Sequence, residues 1–211
     1  MKRFIAQIFI ILAFVANLTA QTDAIQKTQK IINEVIEKSF PELKTKKVEV
    51  KTFQSESDYF RARFSYAKYL TFQKMRYIVL VNPKVFDKNS PTNGIRAILA
   101  HELAHVLYFV ERNRFELLGL ASLSSKSFTQ KFEHRADLEA ISRGYGEGLK
   151  EYRAWLYQNI PPKNFAEKKR NYFSPEEIEK VMILFKQKPE KISEWRKNNW
   201  KDLDYLWRDK D

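Results

Sequence analysis

Two histidines one helical turn apart, with a glutamate beside the first, are the residues of this 211-residue chain best suited to chemistry. His101, Glu102 and His105 spell H-E-x-x-H. On a helix, positions i and i+4 project from one face, so both imidazoles can reach a single metal ion. Neutral imidazole is a good zinc ligand, and a carboxylate next to the first histidine can take a proton from water that the metal activates. The surrounding run, residues 95–110, is mostly Ala, Leu, Ile and Val. A purely structural helix has little reason to bury three polar groups there, because unpaired ones are costly.

A catalytic zinc takes three protein ligands and keeps a fourth position for water. The chain has no cysteine, which excludes disulfides, a thiolate site, a cysteine nucleophile and lipid attachment at cysteine. The remaining candidates lie in the next helical stretch: Glu133, His134, Asp137 and Glu139. Glu133 and Asp137 are four apart and share a face, whereas His134 is turned about 100° away from Glu133. Glu133 is therefore expected to complete the metal set. Asp137 is expected to hydrogen-bond the outer nitrogen of a ligating histidine, which fixes the ring's tautomer. The competing reading of Glu133, His134 and Asp137 is a solvated charged face. One loop after H-E-x-x-H, the carboxylate reading is the better one.

The elements that must position these residues can be read from periodicity. A helix capped by Thr22 or Asp23 is expected to run to about Ser39, with Ile25, Thr28, Ile32 and Val35 on its buried face. Residues 47–53 and 59–66 alternate as half-buried strands, the second with Phe60, Ala62, Phe64 and Tyr66 on one side. Residues 76–81 contain the continuous apolar run 77–81 and are expected to form a strand covered on both faces. The short connections predict a small, mostly antiparallel sheet. The histidine helix is expected over residues 94–110, capped by Ser90 or Thr92. The apolar stretch 115–123 is read as core, with a substrate-pocket wall or membrane-facing loop as the alternative. Helices follow over 128–143, closed by Gly144, and over 149–158; a basic linker spans 163–171. Ser174, Pro175 and Glu177 form a capping box that opens a helix to about Lys188, and a last aromatic helix covers the core. The fold class is α+β, with a small sheet packed on the histidine helix and a helical C-terminal half.

Residues 1–20 have the parts of a signal peptide: basic Lys2 and Arg3, an apolar run over 4–16, then Asn17-Leu18-Thr19-Ala20. Cleavage after Ala20 would export the protein to the periplasm or the medium, and an uncleaved N-terminal anchor is the alternative. The domain plan is thus 1–20 signal peptide, 21–160 catalytic core and 161–211 a helical extension packed on it. A net charge of +12 is spread along the chain instead of being gathered in a block. That favours contact with an anionic membrane or cell-wall surface over nucleic-acid binding.

His101-Glu102-Leu103-Ala104-His105 followed by Glu133-x-x-x-Asp137 resembles the gluzincin metallopeptidases, which include thermolysin-like enzymes and CAAX prenyl proteases. The likeness covers about residues 75–145. It implies Zn2+ held by His101, His105 and Glu133, with Glu102 as general base and Asp137 behind a ligand. It also implies a sheet whose edge strand, placed at residues 76–81, lines the substrate cleft. The third histidine of metzincins, the membrane spans of prenyl proteases and a thermolysin-like second lobe are missing. The whole chain is more similar to a small family of exported bacterial zincin-like proteins.

The function expected from these residues is zinc-dependent hydrolysis of peptide bonds in a peptide or protein substrate. His134, Arg143 and Tyr145 are the nearby candidates for stabilising the oxyanion. A non-catalytic binding protein of the cell envelope on the same scaffold, and an amidase acting on a cell-wall linkage, are the alternatives.

Overall fold

The computed structural model describes residues 2–71, 73–113, 116–117 and 125–210, and their side chains from residue 19 to residue 206. Helix α1 (Lys2–Ser39) leads into strands β1 (Val48–Thr52) and β2 (Phe60–Phe64), the short helix α2 (Tyr66–Leu70), strand β3 (Tyr77–Val81) and the short helix α3 (Lys84–Asp87). The helical half then comprises α4 (Thr92–Glu111), α5 (Lys126–Ala140), α6 (Gly146–Asn159), α7 (Pro162–Asn171), α8 (Pro175–Gln187) and α9 (Ile192–Lys197). The class is α+β with one small sheet, as composition and periodicity imply. No helix among the described residues is long and apolar enough to cross a membrane.

The sheet is mixed, in the order β1-β3-β2, which corrects the mostly antiparallel expectation. β1 pairs parallel with β3, and β2 pairs antiparallel with it. The seven-residue connection after β1 does not make a hairpin, because it carries β2 past β3 to the far edge. Asn82 holds that connection in place, its side-chain amide donating to the carbonyls of Ser55 and Asp58 at 2.9 and 3.2 Å. β3 is therefore central, with Tyr77, Val79, Leu80 and Val81 buried. The edge strand beside the histidine helix is Phe60–Phe64, not residues 76–81. Tyr66 lies past the end of β2 in α2 and is 55% exposed, so it does not continue the strand's buried side.

α4 is buried nearly all round because α1, β2, α5 and α6 each pack against it. Its closest neighbour is α6, and glycines make the approach. A Cβ on Gly148 would stand 2.5 Å from the Asn93 carbonyl oxygen and 3.0 Å from the Ala97 Cβ. Two helices packed this tightly leave no room for adjustment, which fixes the direction in which α4 presents its histidines.

Several boundaries differ from the sequence reading. No cap interrupts α1 at Thr22 or Asp23, since nothing between Asn17 and Ala24 breaks a helix; its buried face holds Thr28, Ile32 and Val35 as the spacing predicts, but Ala24 is buried where Ile25 is expected, and Ile25 is only half-buried. α4 starts after Pro91 without a side-chain cap. Gly144 breaks the helical run as expected: its φ of 90° lies outside helical backbone, and the chain kinks there, within the turn Ile141–Tyr145, between α5 and α6. The expected basic linker at 163–171 is helix α7. The capping box at Ser174 and Glu177 is present and opens α8. In the tail, Trp195 and Trp200 are buried against Phe185, whereas Tyr205 is 52% exposed. Of the apolar stretch 115–123, only residues 116 and 117 fall within the described residues, and Leu117 is buried.

Candidate metal centre

α4 and α5 bring three ligand atoms to one point. His101 Nε2 and His105 Nε2 lie 3.1 Å apart. Glu133 Oε2 is 3.1 Å from the first and 3.0 Å from the second. One ligand atom from each residue falls within 4.8 Å of the others, and this is the one such His/Cys/Asp/Glu group among the described residues. The histidines are almost fully buried and Glu133 is partly so.

The outer nitrogen of His101 is settled by its neighbour. Nδ1 donates to Asp137 Oδ1 at 2.7 Å, so in the neutral ring Nε2 carries a lone pair. That lone pair faces the nitrogen of His105 and the carboxylate of Glu133. Three electron-rich atoms drawn this close need a cation among them. Burial opposes charge on His101, yet Asp137 and Glu133 push its pKa up to about 10, so a proton fills the need when no metal does. Burial likewise opposes charge on Glu133, and the two histidines hold its carboxyl well below the usual carboxylate range. Two imidazoles and one carboxylate, backed by a hydrogen-bonded second carboxylate, fit a divalent ion that takes nitrogen and oxygen ligands.

Asp137 is itself held from three sides. It accepts from His101, from Arg153 Nη2 at 3.2 Å and from the backbone N–H of Phe173 at 3.0 Å. Burial raises its pKa, but Arg153 and His101 outweigh that and keep it ionised. Arg153 on α6 is 1% exposed and lies 4.4 Å over the ring of Tyr172. The sequence reading missed Arg153, Tyr172 and Phe173. Their distance along the chain hid them, and nothing in their spacing marks them as belonging to α4.

Glu102, beside His101 on α4, is 5% exposed, and its carboxylate takes a hydrogen bond from the backbone N–H of Ala62 on β2. Burial pushes its pKa up, and Glu133 adds to the rise against the two histidines. A small cavity adjoins it, lined by Asp58, Tyr59, Arg153, Lys168 and Tyr172 among others. α7 closes that cavity: Lys168 forms an ion pair with Asp58, and the Tyr172 ring sits 5.9 Å from the ring of His101.

The other candidates are engaged elsewhere. Glu139 bonds Arg143 at 2.6 Å, Arg196 at 3.1 Å and the indole N–H of Trp200 at 3.1 Å, so it ties the C-terminal segment to α5 and is no ligand. His134 is fully buried and stacks on Phe173 at 4.4 Å. Arg143 pairs with Glu42 and Glu139 and donates to the carbonyl of Ser39, and the Tyr145 hydroxyl is 3.0 Å from the Ser39 hydroxyl. Of the oxyanion candidates, Arg143 and Tyr145 are thus engaged with Glu42, Glu139 and Ser39, and His134 packs against Phe173.

Compared with protein-family models, with curated proteins and with solved structures, the chain finds no match.

Proposed function

We propose that this chain is an exported zinc-dependent peptidase of the zincin type. The observation that carries the reading is the convergence of His101 Nε2, His105 Nε2 and Glu133 Oε2 beside a buried Glu102 that already touches an edge strand. The donor set, free of cysteine and built from two imidazoles and a carboxylate, is the set that suits a catalytic zinc. Export is supported by the basic start, the apolar run and the small residues of positions 1–20.

Zinc held by His101, His105 and Glu133 would acidify water and polarise a carbonyl. The remaining work falls to the protein's own groups. Asp137 fixes His101 in the tautomer that turns Nε2 inward. Glu102 accepts the proton of the attacking water and passes it to the departing amine, and its raised pKa suits a group that must both take and give a proton. The free edge of β2 offers backbone groups that can align an extended peptide beside Glu102. We assign the oxyanion donor to Tyr172, whose ring lies 5.9 Å from that of His101 and which lines the cavity beside Glu102. Burial, then Glu133 and Asp58, hold its pKa well above 10, so its hydroxyl keeps the hydrogen it must donate.

The test is Glu102→Gln in the zinc-loaded full chain. Peptide cleavage should fall by about 10²–10⁴-fold while zinc content, measured by plasma mass spectrometry, stays the same. A variant that cleaves as fast as the parent would overturn the mechanism.

A further inference from the structure

A run of aromatic rings leads away from the metal cluster along the side of α5. Phe132, the residue before Glu133, stacks on the His105 ring at 4.2 Å and 22°. Phe128, one turn earlier on the same helix, stacks on Phe132 at 5.9 Å. Phe109 of α4 lies 6.1 Å from Phe132, Phe64 lies 5.3 Å from Phe109, and Tyr66 lies 4.7 Å from Phe64. Together with Ala62 and Arg63 these rings wall a cavity of about 430 Å³. Its size is that of a small-ligand pocket. Phe128 and Phe132 are only half-buried, so apolar ring surface faces solvent until something covers it.

The edge of β2 runs along the same cavity. The Tyr59 carbonyl accepts from Asn82, and the Ser65 N–H donates to Arg76. Alternation between those two points turns the backbone groups of Arg61 and Arg63 toward β3. Those of Phe60, Ala62 and Phe64 face the free edge, where Ala62 meets Glu102. A peptide strand laid there has its backbone aligned by the edge and a side chain within reach of the cavity, because successive residues advance about 3.3 Å.

We infer that this cavity is the specificity pocket for an extended peptide, and that it takes an aromatic side chain within two residues of the bond acted upon. The inference rests on the peptidase reading and names its substrate class. Stacking and edge contacts with five rings favour an aromatic occupant over an aliphatic one. An acidic side chain finds only Arg63, which is exposed and whose charge is screened by water.

The experiment titrates zinc-loaded Glu102→Gln full-length protein, which binds without turnover, with acetyl-Ala-Ala-Phe-Ala-Ala-amide and with the same peptide carrying Ala or Asp in place of Phe. By calorimetry the Phe peptide should bind at least tenfold more tightly than the Ala peptide, about 1.4 kcal/mol, and the Asp peptide more weakly still. Adding Phe128→Lys should abolish the difference, and adding Tyr66→Ala, at an exposed position, should reduce it without affecting folding. Equal affinities for the three peptides, or a preference that survives Phe128→Lys in a protein that still melts cooperatively, would overturn the assignment. Cleavage sites of the parent protein on a peptide mixture separate the two readings. Cuts with no aromatic residue nearby would refute the pocket and leave the peptidase standing. Aromatic-selective binding without any cuts would support the pocket and remove the peptidase.

Discussion

Arg153 Nη2 donates to Asp137 Oδ1 at 3.2 Å, and neither side chain has more than 1% of its surface exposed. The same carboxylate oxygen accepts from His101. A buried guanidinium on α6 therefore sets the orientation of the candidate metal ligand His101 on α4 through an aspartate on α5. Replacing Arg153 by Met leaves Asp137 with a buried charge short of its counter-ion. The expected cost is about 3–5 kcal/mol of unfolding free energy, read by urea denaturation. Zinc affinity should fall by about 10–100-fold, because the tautomer of His101 is held less firmly. Unchanged affinity in a folded Arg153→Met protein would show that Asp137 needs no such support.

Glu133 offers a sharper test of the cluster itself. Glu133→Gln keeps the shape of the side chain and removes the charge that balances the two histidines. Zinc content at equilibrium with a competing chelator should drop by at least tenfold. Glu139→Gln, on the same helix but bonded to Arg143 and Arg196, should bind zinc as the parent does. If the two variants lose zinc equally, Glu133 is not the third ligand.

Tyr172 separates binding from chemistry. Its assignment to the oxyanion predicts that Tyr172→Phe lowers kcat by about 10²–10³-fold while KM and zinc content change little, because the hydrogen bond matters only as charge develops. A rise in KM with unchanged kcat would mean that Tyr172 only shapes the cavity beside Glu102.

How much of this was visible beforehand depends on sequence distance. The H-E-x-x-H pair is encoded in four-residue spacing on one helix, and Glu133 with Asp137 repeats that spacing on the next, so local periodicity was sufficient to group them. The partners of Asp137 were not legible, since Arg153 and Phe173 reach it from 16 and 36 residues downstream through packing that no local pattern records. The stretch 163–171 reads as a linker because Lys and Arg dominate it, but those charges lie along a helix that buries Lys168 and Asn171. Strand identities were readable from alternation. Their order was not, because β3 comes between β1 and β2 only through a long-range pairing.

The pair that brings α7 to the site gives a pH prediction. Asp58 on the connection into β2 faces Lys168 and Arg61, and these outweigh burial to hold its pKa below the usual value of 3.8. A folded-state pKa below the unfolded one means that the contribution is complete above the unfolded value and is lost as pH falls through the folded one. Asp58→Asn should therefore cost about 1–3 kcal/mol at pH 7, measured by urea unfolding. The gap between variant and parent should narrow below about pH 4 and close as acid protonates Asp58 in both states. Lys168→Met should show the same narrowing, because it removes the other half of the pair. A gap that stays constant down to pH 2 would mean that packing, and not the ion pair, fastens α7 and Tyr172 against Glu102.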